Sequence, residues 1–162
     1  MGTNYRNLFE DEKFSSAIRI ASSATFASCL SDLTIFCVAS IARDGGLTDE
    51  QATALADLMY RHGFKSGLEK VNKKERPKEA LSVWQARLER IDWDAAVENF
   101  DLFQSSADDL MRFAPVIDEF KEQDSENVQN NIHLRWKDIR NQWRKRAVAA
   151  TIAEEWRGRD AA

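Results

Sequence analysis

The sequence predicts an all-α protein, a single-domain bundle of five to eight helices around one apolar central helix. The stretch from Ala17 to Ala42 carries only two charges, Arg19 and Asp32, whereas every other segment is amphipathic and heavily charged. Six glycines and two prolines in 162 residues indicate long elements and short connections. Because a stretch that is apolar on all faces is unfavourable in water, residues 17–42 are predicted to be buried by the other helices.

The domain is predicted to cover residues 1–162, with a short lead-in at 1–10 and a fraying tail at 158–162. A chain of this length buries a sizeable core without disulfides. The two cysteines, Cys29 and Cys37, are eight residues apart, or about 12 Å on one helix, which is too far for a disulfide. They are interpreted as buried thiols of a cytoplasmic, reducing environment, and no secretory signal pattern precedes them.

Residues 17–42 are also long enough to span a membrane. Asp32 lies near the middle of the stretch, where a charge costs about 2.5 to 3.5 kcal/mol on insertion scales. Its many hydroxyl side chains also favour a protein core over lipid. Asp32 is interpreted as a capping or hydrogen-bonded residue at a helix contact, with a functional carboxylate as the alternative. Since Ser31 or Asp32 could cap a new helix, both one helix and two remain open.

Capping residues and glycines predict where the first two helices begin and end. Glycine after Asp44 ends the central helix. Thr48 and Gln51 form a capping box, and the helix that they open is predicted to end at Gly63. Its predicted buried face is Leu55, Leu58 and Met59.

Later helices follow from spacings of three and four between apolar residues. Pro77 suits the first turn of one helix, Asp92 or Asp94 caps the next, and Ser105 or Ser106 opens another. Pro115 marks a bend. The last helix is predicted to run from Ser125 to Trp156. The apolar positions on these helices are Leu81, Trp84, Leu88, Ile91, Trp93, Val97, Phe100, Phe103, Leu110, Met111, Phe113, Ile117, Phe120, Val128, Ile132, Trp136, Ile139, Trp143, Ala147, Val148, Ala150, Ile152 and Trp156.

Nothing in the sequence predicts an enzyme. His62 and His133 are far apart and lack the neighbours of the usual metal or nuclease motifs, and no phosphate loop or nucleophile elbow is present. No cofactor, metal or small-molecule substrate is predicted. The carboxylates that occur in runs are typical of solvated helix faces.

Two basic segments, 61–78 and 133–146, are candidates for binding nucleic acid or an acidic partner. Arginine next to tryptophan can bind single strands by charge and stacking, but Trp136 and Trp143 lie on the apolar stripe and are predicted core residues. The net charge of −4 disfavours a surface that follows nucleic acid throughout. The candidate cations are Lys70, Lys73, Lys74, Arg135, Lys137, Arg140, Arg144, Lys145 and Arg146.

The segment 108–126 is acidic, and its residues Asp118, Glu119 and Glu122 are candidates for contacting a protein partner. Since it lies just before 133–146, it could also pack antiparallel to that basic segment within the chain.

The sequence therefore predicts a non-enzymatic helical binding protein that acts on another macromolecule through charge-patterned surfaces, with no membrane partner. The alternative is a small nucleic-acid-binding subunit that uses 61–78 and 133–146. In size and helicity the chain is similar to the small helical subunits of CRISPR ribonucleoprotein complexes and to many phage accessory proteins. That similarity includes no motif and assigns no residue a role, but it implies a place in a bacterial or phage assembly.

Overall fold

The structure, a computed structural model, describes residues 11–98, 103–116 and 118–160, except for the side chains of Phe120 and Asp160. Over these residues it contains seven α-helices, a 3-10 turn at Lys73–Glu75 and no strand, which confirms the all-α prediction. The helices are α1 (Glu12–Gly45), α2 (Asp49–Gly67), α3 (Ala80–Leu88), α4 (Trp93–Ala96), α5 (Gln104–Phe113), α6 (Asp118–Arg146) and α7 (Ala149–Asp160).

Helix α1 is the centre of the bundle and runs unbroken through Ser31 and Asp32 for 34 residues. Asp11 caps its start by accepting from the backbone N–H of Lys13 at 2.8 Å. Gly46 ends it in the left-handed conformation, with φ of 66°, as the glycine signal predicts. Its most extensive contacts are with α5, α2 and α7. The predicted apolar helix is therefore one element. Residues 31–42 are buried except for the half-buried Leu33, whereas the predicted burial of the whole stretch 17–42 is wrong at Arg19 and Ile20, which are exposed.

Helix α2 begins with the predicted capping box of Thr48 and Gln51, but the predicted end at Gly63 is wrong. The helix continues to Gly67, because Gly63 serves a close helix contact: a Cβ there would lie 2.9 Å from Leu30 Cδ1. The predicted burial of Leu58 is also wrong, since that side chain is 49% exposed.

Helices α3 and α4 are short and bury their aromatic residues against α1 and α2. The rings of Trp84 and Tyr60 stack with centroids 4.2 Å apart. Asp92 caps α4 by accepting from the N–H of Ala95 at 3.0 Å, as predicted. Leu81 is exposed, in contrast to its predicted place on the buried face.

The last helix differs from its prediction at both ends. Helix α6 begins at Asp118 rather than Ser125, and it ends at Arg146. The chain then turns so that α7 can pack on the end of α1, where the Arg157 guanidinium donates to the carbonyl oxygens of Gly45 and Gly46. Of the apolar positions predicted for this helix, Trp136 is buried, while Ile139 and Val148 are exposed.

Some predictions lie outside the described residues, namely the lead-in at 1–10, Phe100, Ile117 and residues 161–162. Residues 158–160 of the predicted tail belong to α7.

Candidate functional site

A cleft of about 600 Å³ opens between the first half of α1, the chain from Lys74 to Arg87, and α5. Its walls are apolar and solvent-exposed: Ile20 of α1 is 41% exposed and Val83 of α3 is 61% exposed. Its base includes Ala24 and Ala27, which lie one helical turn apart on α1. Because these side chains are small, a segment that enters the cleft can approach the backbone of α1 closely.

Opposite charges border the two sides of this cleft. Lys74, Arg76 and Lys78 outnumber Glu79 on the side of the 3-10 turn, and Asp108 and Asp109 outnumber Arg112 on α5. Asp109 also accepts a hydrogen bond from Ser28 Oγ of α1. The cleft thus presents an apolar floor with a cationic and an anionic border.

The loop that carries the cationic border is held by contacts of its own. Arg76 donates to the carbonyl oxygens of Val71, at 2.9 Å, and Glu69, at 3.1 Å. The buried Glu75 pairs with Arg19 of α1 at 2.7 Å. These contacts place Lys74 in the cleft lining.

A buried polar network lies beneath the cleft and joins α1, α3 and α5. The carboxylate of Asp32 is fully buried. It accepts from Arg87 Nη1 at 2.5 Å and from the backbone N–H of Ser106 at 3.0 Å. Arg87 Nη1 also donates to Ser31 Oγ at 2.8 Å. The interpretation of Asp32 as a hydrogen-bonded residue at a helix contact is confirmed.

Burial has the largest effect on the titration of Asp32. Desolvation raises the pKa of its carboxyl, and the charge and hydrogen bond of Arg87 together with the Ser106 hydrogen bonds oppose that rise. Desolvation likewise raises the pKa of the Cys37 thiol to about 12 and of the Cys29 thiol to about 11. Both cysteines are free thiols. Cys37 is buried, as predicted, whereas Cys29 is only half-buried.

The network continues into α6 through Trp136. The indole Nε1 of Trp136 donates to Ser106 Oγ at 2.9 Å. Its ring packs on Phe103 with centroids 4.7 Å apart, and only 5% of the residue is exposed. Trp136 is therefore a core residue, as its stripe position predicts, and its face is not available to stack on a base.

The predicted cations of 133–146 lie along the C-terminal half of α6. Five are exposed: Arg135, Lys137, Arg144, Lys145 and Arg146. Arg140 is half-buried, and its guanidinium lies 4.9 Å from the centroid of the Phe103 ring. Desolvation, with a smaller contribution from the charge of Arg144, lowers the pKa of Arg140. Lys137 and Arg140 also line an open groove of about 380 Å³ next to Phe103, His133 and Leu134.

The structure does not unite the two predicted basic segments. Lys74 lines the cleft, whereas Lys137 and Arg140 line the groove on α6. Lys70 and Lys73 are exposed but line neither pocket.

The predicted acidic residues lie at the start of α6. Asp118, Glu119 and Glu122 are exposed there, and Asp118 pairs with Lys121 at 3.3 Å. Since residues 118–126 belong to the same helix as 133–146, this part of the acidic segment cannot pack antiparallel to the basic segment. The earlier part, with Asp108 and Asp109, lies on α5, which contacts α6.

Sequence reasoning missed the residues that shape the cleft, including Ile20, Val83 and Arg87. A carboxylate inside an apolar run is a signal for a buried cationic partner, but it does not say which arginine of the chain supplies it. No pattern in the sequence indicates that Ile20 and Val83 are exposed, because an aliphatic residue at either position is equally consistent with the buried face of a helix.

Among the described residues, no group of three His, Cys, Asp or Glu side chains is arranged to hold a metal ion. Helix α1 is long and apolar enough to cross a membrane by length and composition, and 67% of its most apolar window is buried inside the protein. Comparison with known proteins finds no matching family model, no matching curated protein and no matching solved structure.

Proposed function

We propose that the protein is a non-enzymatic binding protein that holds an amphipathic helix of a partner protein in the cleft between α1, α3 and α5. The observation that carries this proposal is the exposure of two large aliphatic side chains, Ile20 of α1 and Val83 of α3, in the lining of a cleft of about 600 Å³. Partner helices commonly place their apolar face in a groove of this kind, with anchors at spacings of three and four residues.

The charges at the two borders restrict the partner. An occupying helix with acidic residues on one flank meets Lys74 and Lys78, and basic residues on its other flank meet Asp108. Such complementary charges fix the orientation of a partner more than they add affinity. The expected ligand is therefore a helix with an apolar face between an acidic and a basic flank.

The nucleic-acid alternative has less support. Stacking would need exposed aromatic faces beside the cations, and Trp136 is buried while donating to Ser106. Changing Lys137, Arg140 and Arg144 together to Ala would weaken any phosphate contact and lower the salt slope of binding. We expect fluorescence polarisation to show only weak binding of single- and double-stranded oligonucleotides by the intact chain.

The cytoplasmic location remains a prediction, and the free thiols of Cys29 and Cys37 support it.

Photo-cross-linking tests the cleft directly. A benzophenone amino acid at Val83 is expected to capture a protein in cells of the source organism. The same amino acid at Val148 is the control, because the two valines are equally exposed, at 61% and 62%, but Val148 lies outside the cleft lining. Mass spectrometry is expected to place the adduct on an amphipathic segment with the two charged flanks.

A synthetic peptide of the captured segment then measures the role of the cleft. We expect Val83→Lys to weaken its binding at least about tenfold, since the change places a charge against an apolar anchor. A peptide that binds the Val83→Lys variant as well as the original chain would refute the proposed site. So would equal capture at Val83 and Val148, or an adduct that nuclease removes.

A further inference from the structure

Helix α6 carries opposite charges in its two halves. Residues 118–126 contain five carboxylates and one lysine, and residues 133–146 contain six Lys and Arg side chains and one carboxylate, Asp138. The helix has 29 residues, which makes it about 43 Å long. Among its described side chains, Trp136 alone is buried. Most of this length is therefore an exposed, charged surface, on which Arg140 and Arg144 also lie over the rings of Phe103 and Phe36.

Four of the exposed charges fall on one narrow strip of the helix. At about 100° per residue, Glu119, Glu126, Lys137 and Arg144 lie within roughly 20° of one another around the axis. All four are exposed. Glu122 and Arg140 fall next to the same strip, and His133 lies between its two halves. The strip is therefore acidic over the first half of α6 and basic over the second.

The strip is arranged symmetrically about the middle of the helix. Glu126 and Lys137 are equally far from the point between Asn131 and Ile132, and so are Glu119 and Arg144. The distances along the axis are about 8 Å for the first two and about 19 Å for the others. A two-fold rotation about that point therefore places each carboxylate of one helix opposite a cation of another antiparallel copy.

Within a single chain this order of charges is unfavourable. Like charges three or four residues apart on a helix repel each other, whereas alternating acidic and basic residues would attract. Glu122 and Glu126 form such a like pair, and so do Arg140 and Arg144. Neither Lys137 nor Arg144 takes part in an ion pair among the described parts of the chain. The acidic half cannot fold back on the basic half, because both are one rigid helix.

We propose that α6 pairs antiparallel with α6 of a second copy of this chain, with Glu119 opposite Arg144 and Glu126 opposite Lys137. The contact is isologous, so each pair occurs twice about the two-fold axis. Leu134, which is 59% exposed, lies close to the axis and borders the groove on α6. It lies to one side of the strip, about 60–80° further around the helix. This interface is separate from the cleft and does not depend on its occupant.

Charge reversal with rescue tests the pairing. The variant Glu119→Lys with Glu126→Lys has an all-basic strip, and Lys137→Glu with Arg144→Glu has an all-acidic strip. Light scattering after gel filtration is expected to show each variant as a monomer where the original chain is a dimer. We expect each association constant to fall at least about tenfold, because like charges then oppose each other.

Two further samples should restore the dimer. An equimolar mixture of the two variants is expected to form a heterodimer, and one chain that carries all four changes is expected to form a homodimer again. Raising the salt from about 0.1 M to about 1 M shortens the screening length from about 10 Å to about 3 Å, which should weaken every one of these dimers.

Matched controls place the same change of charge on the other side of α6. Asp124→Lys with Asp138→Lys controls for the basic variant, and Arg135→Glu with Arg146→Glu controls for the acidic one. All four positions are exposed. Circular dichroism establishes that each variant keeps its helical content.

The controls should remain dimers at the concentration where the strip variants dissociate. A monomeric original chain at 0.1 mM and low salt would overturn the proposal, as would a four-change chain that stays monomeric. A basic variant that binds nucleic acid more tightly, without any dimer in the original chain, would assign the strip to nucleic acid instead.

Discussion

Replacing Asp32 is expected to destabilise the domain more than any change at a surface charge. Asp32→Leu removes the acceptor of both the Arg87 guanidinium and the Ser106 N–H. Removing one partner of a buried ion pair costs about 3–5 kcal/mol. For a chain of this size, each kcal/mol lowers the melting temperature by about 2–4 °C. We therefore expect a fall of about 6–20 °C in a melt followed by circular dichroism.

A double variant distinguishes the free energy of the ion pair from the free energy lost through poorer packing. Asp32→Leu combined with Arg87→Met removes both charges, and replacing a whole buried pair by apolar residues is often neutral. The double variant is expected to be more stable than Asp32→Leu, with a coupling free energy of about 1–3 kcal/mol.

The outcome that would refute the reasoning is additivity of the two changes, or a single variant that melts with the original chain. Arg61→Ala is the control. It breaks the exposed pair between Arg61 and Asp57, and we expect no measurable change in the melting temperature.

The remaining predictions concern glycines and thiols. Gly45→Ala is expected to lower the free energy of unfolding by about 1–3 kcal/mol in a urea titration, because the new Cβ would overlap Ala153 and lie 3.1 Å from the carbonyl oxygen of Ala149. The control is Gly158→Ala, where the new Cβ meets open space. This control should be neutral or raise the free energy of unfolding by up to about 1 kcal/mol. The Cys37 thiol, whose pKa burial raises to about 12, is expected to react with a disulfide reagent at pH 8 at least about a hundredfold more slowly than in urea, since the thiolate is the reactive form; equal rates would contradict its burial.

The fold was predictable where the signal is local. The apolar run at 17–42, the glycine after Asp44 and the capping box at Thr48 each act within a turn of their own position, and the structure has all three. Gly63 shows the limit of this reasoning: a glycine in a helix serves a cap or a close contact equally well, and only the packing of Leu30 decides between them.

The candidate site was less predictable because it depends on long-range contacts. Residues of the cleft come from α1, from the chain at 74–87 and from α5, and no local pattern indicates that these segments meet. The cations of α6 were found as a group, but their partner was not. The sequence analysis predicted that the last helix starts at Ser125. With that start, the acidic residues 118–124 would precede the helix and could pack against its basic segment. The start at Asp118 makes acids and cations one helix.

Helix α5 links the two proposed surfaces through a single residue. The backbone N–H of Ser106 donates a hydrogen bond to the Asp32 carboxylate beneath the cleft. The Ser106 hydroxyl accepts a hydrogen bond from the indole N–H of Trp136 in α6. Asp108, two residues later, lines the cleft. Because the Ser106 contacts hold α5 against both α1 and α6, they set the anionic border of the cleft and the position of the α6 strip together. The strip can lose its charges without altering that border, whereas loss of the Asp32 carboxylate disturbs both. The buried carboxylate therefore has an architectural role, and the binding roles that we propose belong to the exposed groups that it positions.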